Sequence, residues 1–351
     1  MESNTSTPTL ERCVSLLEKH VSVEPVGGDP HLYLVVDSRS GRGIKDSLEE
    51  AYYSLAKENC YLRAVRSEAG VIAQLVEGQR GRNPLLAVAL ALTTLATLYV
   101  SGYSFPRRPG FAWSPIGYLL GIFIPLLLHE LGHFTVMKRY RVPSSLPYFI
   151  PAPPLQTGFI GTFGAVINMR WLPARNRHLA LMAIAGPLLG FIAALPVAYY
   201  GLKASVIMPA TGVSAIPVAP LIFLLFPPPA TPGPGEAVVL SPMAFAAYVV
   251  FFVTFLNLIP IGMLDGGHIV RALLGEKGHA IVSNAFIILL FAAGAYYPGL
   301  LLFALIAAGL YFMSRGRHPG PAILEEERDP LTIAAGIVYG VLLILTMPVP
   351  A

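Results

Sequence analysis

Long apolar stretches separated by short polar ones run through most of this chain, and their length predicts a bundle of membrane-spanning helices. A helix rises 1.5 Å per residue, so about 20 apolar residues cross a hydrocarbon layer roughly 30 Å thick. Seven stretches approach or exceed this length. The predicted spans are residues 84–103, 115–137, 178–201, 241–262, 279–296, 299–314 and 331–348.

A further apolar segment, residues 205–226, is interrupted by Pro209, Pro217 and Pro220. Proline lacks the backbone N–H that a continuing helix needs, and its ring clashes with the preceding turn. We therefore predict a re-entrant or interfacial segment here rather than a span. Counting it as a span would reverse the orientation of everything that follows it.

The first 82 residues are more polar, and their pattern predicts a small α+β domain. We accordingly divide the chain into an accessory domain, residues 1–82, and a transmembrane domain, residues 83–351. The predicted elements of the accessory domain are a helix from Thr7-Pro8 to about His20, a strand at His31–Val36, a helix from a capping box at Ser47–Glu50 through Lys57, and strands near Tyr61–Val65 and Val71–Val76.

Composition supports the membrane interpretation. Hydrophobic residues make up 54% of the chain and charged residues only 13%, whereas about 25% is usual in soluble domains. The net charge of +4 fits lysines and arginines held on one side of a bilayer better than a nucleic-acid surface. Their distribution beside the spans predicts a cytosolic N-terminus and an outside C-terminus.

The N-terminus has no basic stretch followed by an apolar one, so we expect no cleavable signal peptide. Since it also lacks the character of a transit peptide, we expect a prokaryotic plasma membrane. Cys13 and Cys60 do not have a metal-binding spacing, and a disulfide framework is unsupported. We expect both cysteines to be reduced thiols.

The strongest chemical signal is the H-E-x-x-H pattern from His129 to His133, which closes a run without charged residues from Phe111 onward. Ligands at i and i+4 project from one face of a helix, so both imidazoles can bind one metal ion while Glu130 activates the attacking water. Ionisable groups inside an apolar span cost roughly 2.5–3.5 kcal/mol each, which makes a purely structural cluster improbable.

A catalytic zinc ion usually has three protein ligands, and Asp265 is the best candidate for the third. It follows a segment without charged residues from Ala237 onward, and a carboxylate oxygen suits zinc. Asp265 alone is equally compatible with a helix end at the membrane interface. His268, three residues later, is either a fourth ligand or a histidine outside the ligand set.

Together, His129–His133 and the run Asn257 to Gly266 (N-x-x-P-x-x-x-L-D-G) resemble the site-2 protease family of intramembrane zinc metalloproteases. The resemblance covers a core at residues 115–271. It implies an all-α polytopic membrane protein in which His129, His133 and Asp265 bind one Zn²⁺ per chain and Glu130 is the general base. Asn257 would hold the substrate or its developing oxyanion.

The Pro-rich run 147–154 and the segment 162–166 are similar to the branch related to the ethylene-dependent gravitropism-deficient and yellow-green proteins. In such proteases a membrane-associated β-hairpin near the site receives an unwound substrate. We therefore expect hydrolysis of a peptide bond within or near the transmembrane helix of a membrane protein in the lipid bilayer. The alternative is a catalytically inactive scaffold or a metal-binding transporter with the same fold; the sequence leaves the oligomeric state open.

Overall fold

In the first 82 residues, which we predicted to be an accessory domain, two helices pack on one antiparallel sheet. The computed structural model describes residues 10–39, 41–78, 83–105, 114–211, 218–226, 231–296, 298–313, 315–324 and 329–350. The sheet has the strand order β1-β2-β4-β3. The elements are α1 (Leu10–Leu17), β1 (Val21–Pro25), β2 (Leu32–Ser38), α2 (Ile44–Lys57), β3 (Cys60–Ser67) and β4 (Gly70–Glu77). Only β1 had not been predicted, and residues 1–9, where the first helix was expected to begin, lie outside the described range.

The expectation of two reduced thiols is wrong, because Cys13 and Cys60 form a disulfide. Both residues are fully buried in the core between α1, α2 and the sheet, with their Cα atoms 5.7 Å apart. They are separated by 47 positions in the sequence. Their proximity therefore comes from the packing of α1 against the first residue of β3, which the spacing of the cysteines does not reveal.

The predicted capping box at Ser47–Glu50 is also wrong. Helix α2 begins one turn earlier, at Ile44, and Gly43 occupies its N-cap position without a side-chain hydrogen bond. Ser47 lies inside the helix, where its buried hydroxyl is 2.7 Å from the hydroxyl of Ser38 at the end of β2. The serine therefore joins the helix to the sheet instead of capping it.

The predicted transmembrane domain consists largely of apolar helices that correspond to the predicted spans. Four candidate spans are long and apolar enough to cross a membrane, and the described residues also include three shorter apolar helices. Many of their large side chains are exposed, such as Ile281, Ile288 and Leu302 at 71%, 70% and 65%, as expected of surfaces that face lipid. The count of seven spans stays a prediction. The helices are α3 (Pro84–Ser101), α4 (Ser114–Arg139), α5 (Asn176–Lys203), α6 (Pro242–Leu258), α7 (Asp265–Tyr296), α8 (Pro298–Met313) and α9 (Pro330–Thr346).

Short strands replace a helix in the apolar segment 205–226, as far as the structure describes it. β7 (Val206–Pro209) pairs with β9 (Glu236–Val239), and β8 (Val218–Pro220) pairs with β10 (Pro348–Pro350). The chain then forms a short 3-10 helix at Leu221–Leu225. The described part of this segment therefore contains no spanning helix.

A β-hairpin connects α4 to α5, as predicted. Its strands β5 (Tyr148–Pro151) and β6 (Thr162–Val166) are antiparallel, with Phe149 opposite Ala165. The ring of Phe149 is buried and stacks on Phe123 of α4 with a centroid separation of 4.9 Å. This contact fixes the hairpin against the helix that carries the H-E-x-x-H pattern.

The accessory domain is docked on two segments of the transmembrane half. The indole N–H of Trp171 donates to Leu62 O over 2.9 Å, and the Tyr52 hydroxyl donates to Leu172 O over 2.9 Å. On the outer edge of β3, the Ala64 N–H donates to Ala322 O over 2.7 Å. The core of the accessory domain thus includes buried residues from beyond position 82, namely Ala174, Ala322, Ile323 and Leu324.

Candidate active site

Helix α4 brings the two histidines and the glutamate of the H-E-x-x-H pattern to one buried face. His129 and His133 are one turn apart, with ring centroids 4.8 Å apart, and Glu130 follows the first histidine. His129 and Glu130 are only 6% and 5% exposed. All three side chains line one cavity of about 220 Å³. The helix therefore presents these polar groups to one shared cavity.

Asp265, the first residue of α7, completes a set of three potential metal ligands with the histidines. Its carboxylate oxygens lie 3.4 Å from His129 Nε2 and 3.5 Å from His133 Nε2, and the two Nε2 atoms are 3.0 Å apart. Ligand atoms around a tetrahedral zinc at about 2.0–2.1 Å lie roughly 3.3 Å from one another. The spacing and the donor types therefore fit a zinc ion.

Helix α5 orients His133 through a contact that the sequence pattern does not reveal. His133 Nδ1 is 2.8 Å from Met182 O, and because a carbonyl only accepts, Nδ1 carries the proton. The lone pair of Nε2 is then available to a metal, as is usual for histidine ligands held by an outer hydrogen bond. Gly186 makes room for the ring, since a Cβ atom there would overlap His133 Nε2.

The loop between α6 and α7 places Asp265 by a close backbone approach. Helix α6 ends at Leu258, four residues before the end of the predicted span, and Gly262 turns the chain with a φ of 54°. At Gly266, a Cβ atom would overlap the carbonyl oxygen of Leu258, so only glycine allows α7 to begin here. A second break at Gly275, with φ 71° and ψ −172°, divides α7 and separates the site from the predicted span 279–296.

Asn257 and Glu130 both line the cavity with the three potential ligands. Neither side chain makes a hydrogen bond to any residue that the structure describes. Asn257 is near the end of α6 and also lines a second cavity of about 370 Å³, which is largely apolar and includes Phe159, Phe163 and Phe303. The asparagine therefore stands where a polar cavity and an apolar one meet.

Strand β6 forms part of the cavity wall through Ala165 and Val166. Its partner in the sheet is β5, and no other described strand pairs with it. Val166 is 50% exposed. The structure therefore brings the predicted hairpin next to the predicted metal-binding residues.

His268 lies outside the group of potential ligands, although it lines the same cavity. Its Nδ1 is 2.6 Å from Nε2 of His318, which follows α8 and which the sequence analysis had not associated with the site. Of the two alternatives left open, the structure favours a histidine outside the ligand set.

Comparison with known proteins gives the family. The profile of peptidase family M50 matches residues 117–302, more than half of the 351 residues. The chain belongs to peptidase family M50. The resemblance to the site-2 proteases is thus confirmed, and the matched region contains every residue that the sequence analysis assigned to the site. No solved structure matches the chain.

Curated relatives of this M50 chain are zinc metalloproteases by name. "Probable zinc metalloprotease EGY2, chloroplastic" from Arabidopsis thaliana is 28% identical over 239 residues, covering 64% of this chain and 40% of that protein. "Probable zinc metalloprotease EGY3, chloroplastic" from Oryza sativa subsp. indica is 27% identical over 327 residues, covering 86% and 54%. The EGY1 protein of Arabidopsis thaliana is 32% identical over 174 residues, covering 46% and 30%.

The chain therefore spans about half or less of the length of these relatives. The family and the names of the relatives imply zinc as the metal, in agreement with the His-His-Asp group. The relatives are chloroplastic plant proteins by name, so they do not support the expected prokaryotic plasma membrane.

Proposed function

We propose that this chain is an intramembrane zinc metalloprotease that hydrolyses a peptide bond within or near the transmembrane helix of a membrane-protein substrate. The observation that carries the proposal is the convergence of His129, His133, Asp265 and Glu130 in one cavity between apolar helices. Four ionisable groups placed together in a setting where each is costly indicate a functional site. Their types and spacing suit a hydrolytic zinc centre.

In this proposal His129, His133 and Asp265 hold the zinc ion, which when bound lowers the pKa of water to around 7 and polarises a carbonyl. Glu130 accepts a proton from the attacking water and delivers it to the leaving amine. Asn257 donates an amide N–H to the carbonyl oxygen of the scissile bond as negative charge develops there. The absence of any described hydrogen bond at Glu130 and Asn257 leaves both side chains available for these roles.

The hairpin supplies a place for the unwound substrate. A helical peptide bond is shielded by its own hydrogen bonds, so the substrate must be extended before attack. The outer edge of β6 borders the cavity and can pair with an extended strand. The apolar cavity that begins at Asn257 can receive a large apolar side chain next to the scissile bond.

The other parts of the proposal concern topology and location. We propose a cytosolic accessory domain and access of water from the cytosolic side, because Lys138 and Arg139 follow His133 within about 8–9 Å along α4. A substrate helix would reach the site from the lipid bilayer. The prokaryotic plasma membrane stays a prediction, and labelling of a cysteine beside His133 from the outer face alone would contradict the direction of access.

The test is cleavage of a single-span model substrate by the purified, zinc-loaded protein. The matched variants are Glu130→Gln, which removes the proposed base, and Glu77→Gln, which changes an exposed glutamate of β4. We expect fragments from the wild type and from Glu77→Gln but none from Glu130→Gln, with equal zinc content in all three. Mass spectrometry of the fragments would locate the scissile bond.

Other outcomes assign the chain to another class. If Glu130→Gln cleaves as fast as the wild type, glutamate is not the base and the mechanism is wrong. If it loses its zinc together with its activity, Glu130 has a structural role. Metal flux into liposomes that does not depend on Glu130, without any substrate fragments, would instead support a transporter. Bound zinc with neither proteolysis nor metal flux would support a scaffold.

A further inference from the structure

His268 is a buried histidine on the wall of the active-site cavity, one turn after Asp265 on α7. Its Nδ1 is turned to His318 Nε2, 2.6 Å away. Its other nitrogen, Nε2, has no hydrogen-bond partner among the described residues and is not one of the enclosed polar atoms. Nε2 is therefore the polar atom that the ring offers to the cavity.

The protons of this histidine pair follow from a backbone N–H. Gly320 N–H donates to His318 Nδ1 over 3.0 Å, so that nitrogen is an acceptor without a proton. A neutral imidazole carries one proton, which must then be on His318 Nε2. His318 Nε2–H therefore donates to His268 Nδ1, and His268 carries its own proton on Nε2. The chain of donors runs from the Gly320 backbone through both rings into the cavity.

We propose that His268 Nε2–H donates a hydrogen bond to the carbonyl oxygen of the scissile peptide, alongside Asn257, and that His318 is the positioning residue that keeps this N–H in place. The inference rests on the proposed proteolytic function and adds a second donor to it. It also excludes His268 as a fourth zinc ligand, because Nδ1 accepts from His318 and Nε2 is protonated.

The same arrangement excludes His268 as a general acid or base. To become a cation, His268 would need a second proton, on Nδ1, which would face the proton on His318 Nε2. A preorganised donor aimed at developing negative charge needs no reorganisation during the reaction, and removing one such donor slows catalysis about 10²- to 10³-fold in other hydrolases. A locked neutral imidazole therefore suits this role.

The surroundings of His318 hold its ring in place. Arg271, one turn after His268, donates its Nε–H to His318 O over 3.3 Å. Gly320 lies so close to the Arg271 guanidinium that a Cβ atom would come within 2.5 Å of it. Burial and the neighbouring His268, His279 and Arg271 lower the pKa of His318, which keeps it neutral. Two residues after Gly320, Ala322 O accepts a hydrogen bond from the Ala64 N–H of β3.

The experiment combines ¹⁵N-histidine NMR of the zinc-loaded protein with zinc content, kcat and KM. The variants are His268→Phe, His268→Gln, His318→Phe and His318→Gln. The control is His178→Phe, because His178 is buried on α5, stacks on Tyr140 and does not line the cavity. A phosphinate-containing peptide serves as the probe, because its tetrahedral oxyanion resembles the proposed acceptor.

We expect a full complement of zinc in every variant and a kcat about 10²- to 10³-fold lower in His268→Phe, with KM little changed. The wild-type spectrum should show His268 protonated on Nε2, with a downfield shift of that proton when the phosphinate binds. His318→Phe should lose this signature and the activity together. His318→Gln can still donate to Nδ1 and should retain much of both, and the control should retain both fully.

Three results would overturn the inference. Loss of zinc from His268→Phe would make His268 a zinc ligand. A proton on Nδ1 of His268 in the wild type would reverse the direction of the hydrogen bond to His318. An Nε2 proton that does not shift in the phosphinate complex would show that the oxyanion does not accept from it. If the wild type cleaves no substrate, the proposed function fails, whereas the spectra still decide where the protons lie and whether an oxyanion binds there.

Discussion

The substitution Gly186→Ala tests whether the approach of α5 to α4 controls the metal site. A Cβ atom on Gly186 would lie 2.5 Å from Cδ2 and Cε1 of His133, whereas ordinary contacts begin at 3.4 Å. The ring or the helix must therefore move by at least about 0.9 Å, since Nε2 of the ring would be closer still to the new Cβ atom. The ring also makes a hydrogen bond to Met182 O, one turn before Gly186 on the same helix, and moving the ring away from α5 would weaken that bond.

The expected effect is large because metal ligands tolerate little displacement. Zinc–ligand distances in genuine sites fall within about 0.2 Å of their usual values, so a shift several times larger removes His133 from the ligand set. Loss of an outer hydrogen bond to a ligand already weakens metal affinity about 10- to 100-fold. We therefore expect a decrease of more than about 100-fold, together with about 1–3 kcal/mol of destabilisation from overpacking.

The assay is zinc affinity by competition with a graded series of chelators, followed by metal analysis of the purified protein. Gly340→Ala is the matched control, since this helical glycine of α9 has no atom within 4 Å of its would-be Cβ. We expect the control to bind zinc normally and to gain up to about 1 kcal/mol of stability. Wild-type zinc affinity in Gly186→Ala would refute the argument that α5 positions His133.

Three further predictions follow from local contacts. Asp265→Ala should lower zinc occupancy after dialysis below that of the wild type, and an unchanged metal content would remove the aspartate from the ligand set. Replacing Cys13 and Cys60 by alanine should lower the unfolding free energy of the accessory domain by about 2–4 kcal/mol in chemical denaturation, given the 47-residue separation that the disulfide closes. Asp329→Ala removes a carboxylate that accepts from two backbone N–H groups at the start of α9, and should cost about 1 kcal/mol; an unchanged thermal midpoint would contradict this.

The sequence was sufficient where the determining interactions are local. The period of an α-helix places His129 and His133 on one face, whereas the hairpin that includes Phe149 was expected only from the resemblance to the family. Helix bounds were also close, since they follow the length of each apolar run. Asp265 could be proposed because an isolated charge after an apolar segment needs a partner, and the structure places it beside both histidines.

The remaining features depend on contacts between segments far apart in the chain. Met182 and Gly186 carry no chemical signal of their own, since one acts through a backbone carbonyl and the other through the absence of a side chain. His318 lies 50 residues from the histidine it contacts. The disulfide and the start of α2 were missed for the same reason, because packing of the accessory domain decided both.

The docking of the accessory domain connects these distant features to the site. One docked segment, around Trp171, follows β6, whose last residues form the cavity wall. The other, around Ala322, follows His318, whose ring holds His268 in that wall. The first segment reaches the wall directly, since Met169 lines the cavity two residues before Trp171, whereas the second reaches it through the contact of His318 with His268. The first 82 residues, which we predict to be an accessory domain, therefore support the cavity from outside, since none of those that the structure describes lines it.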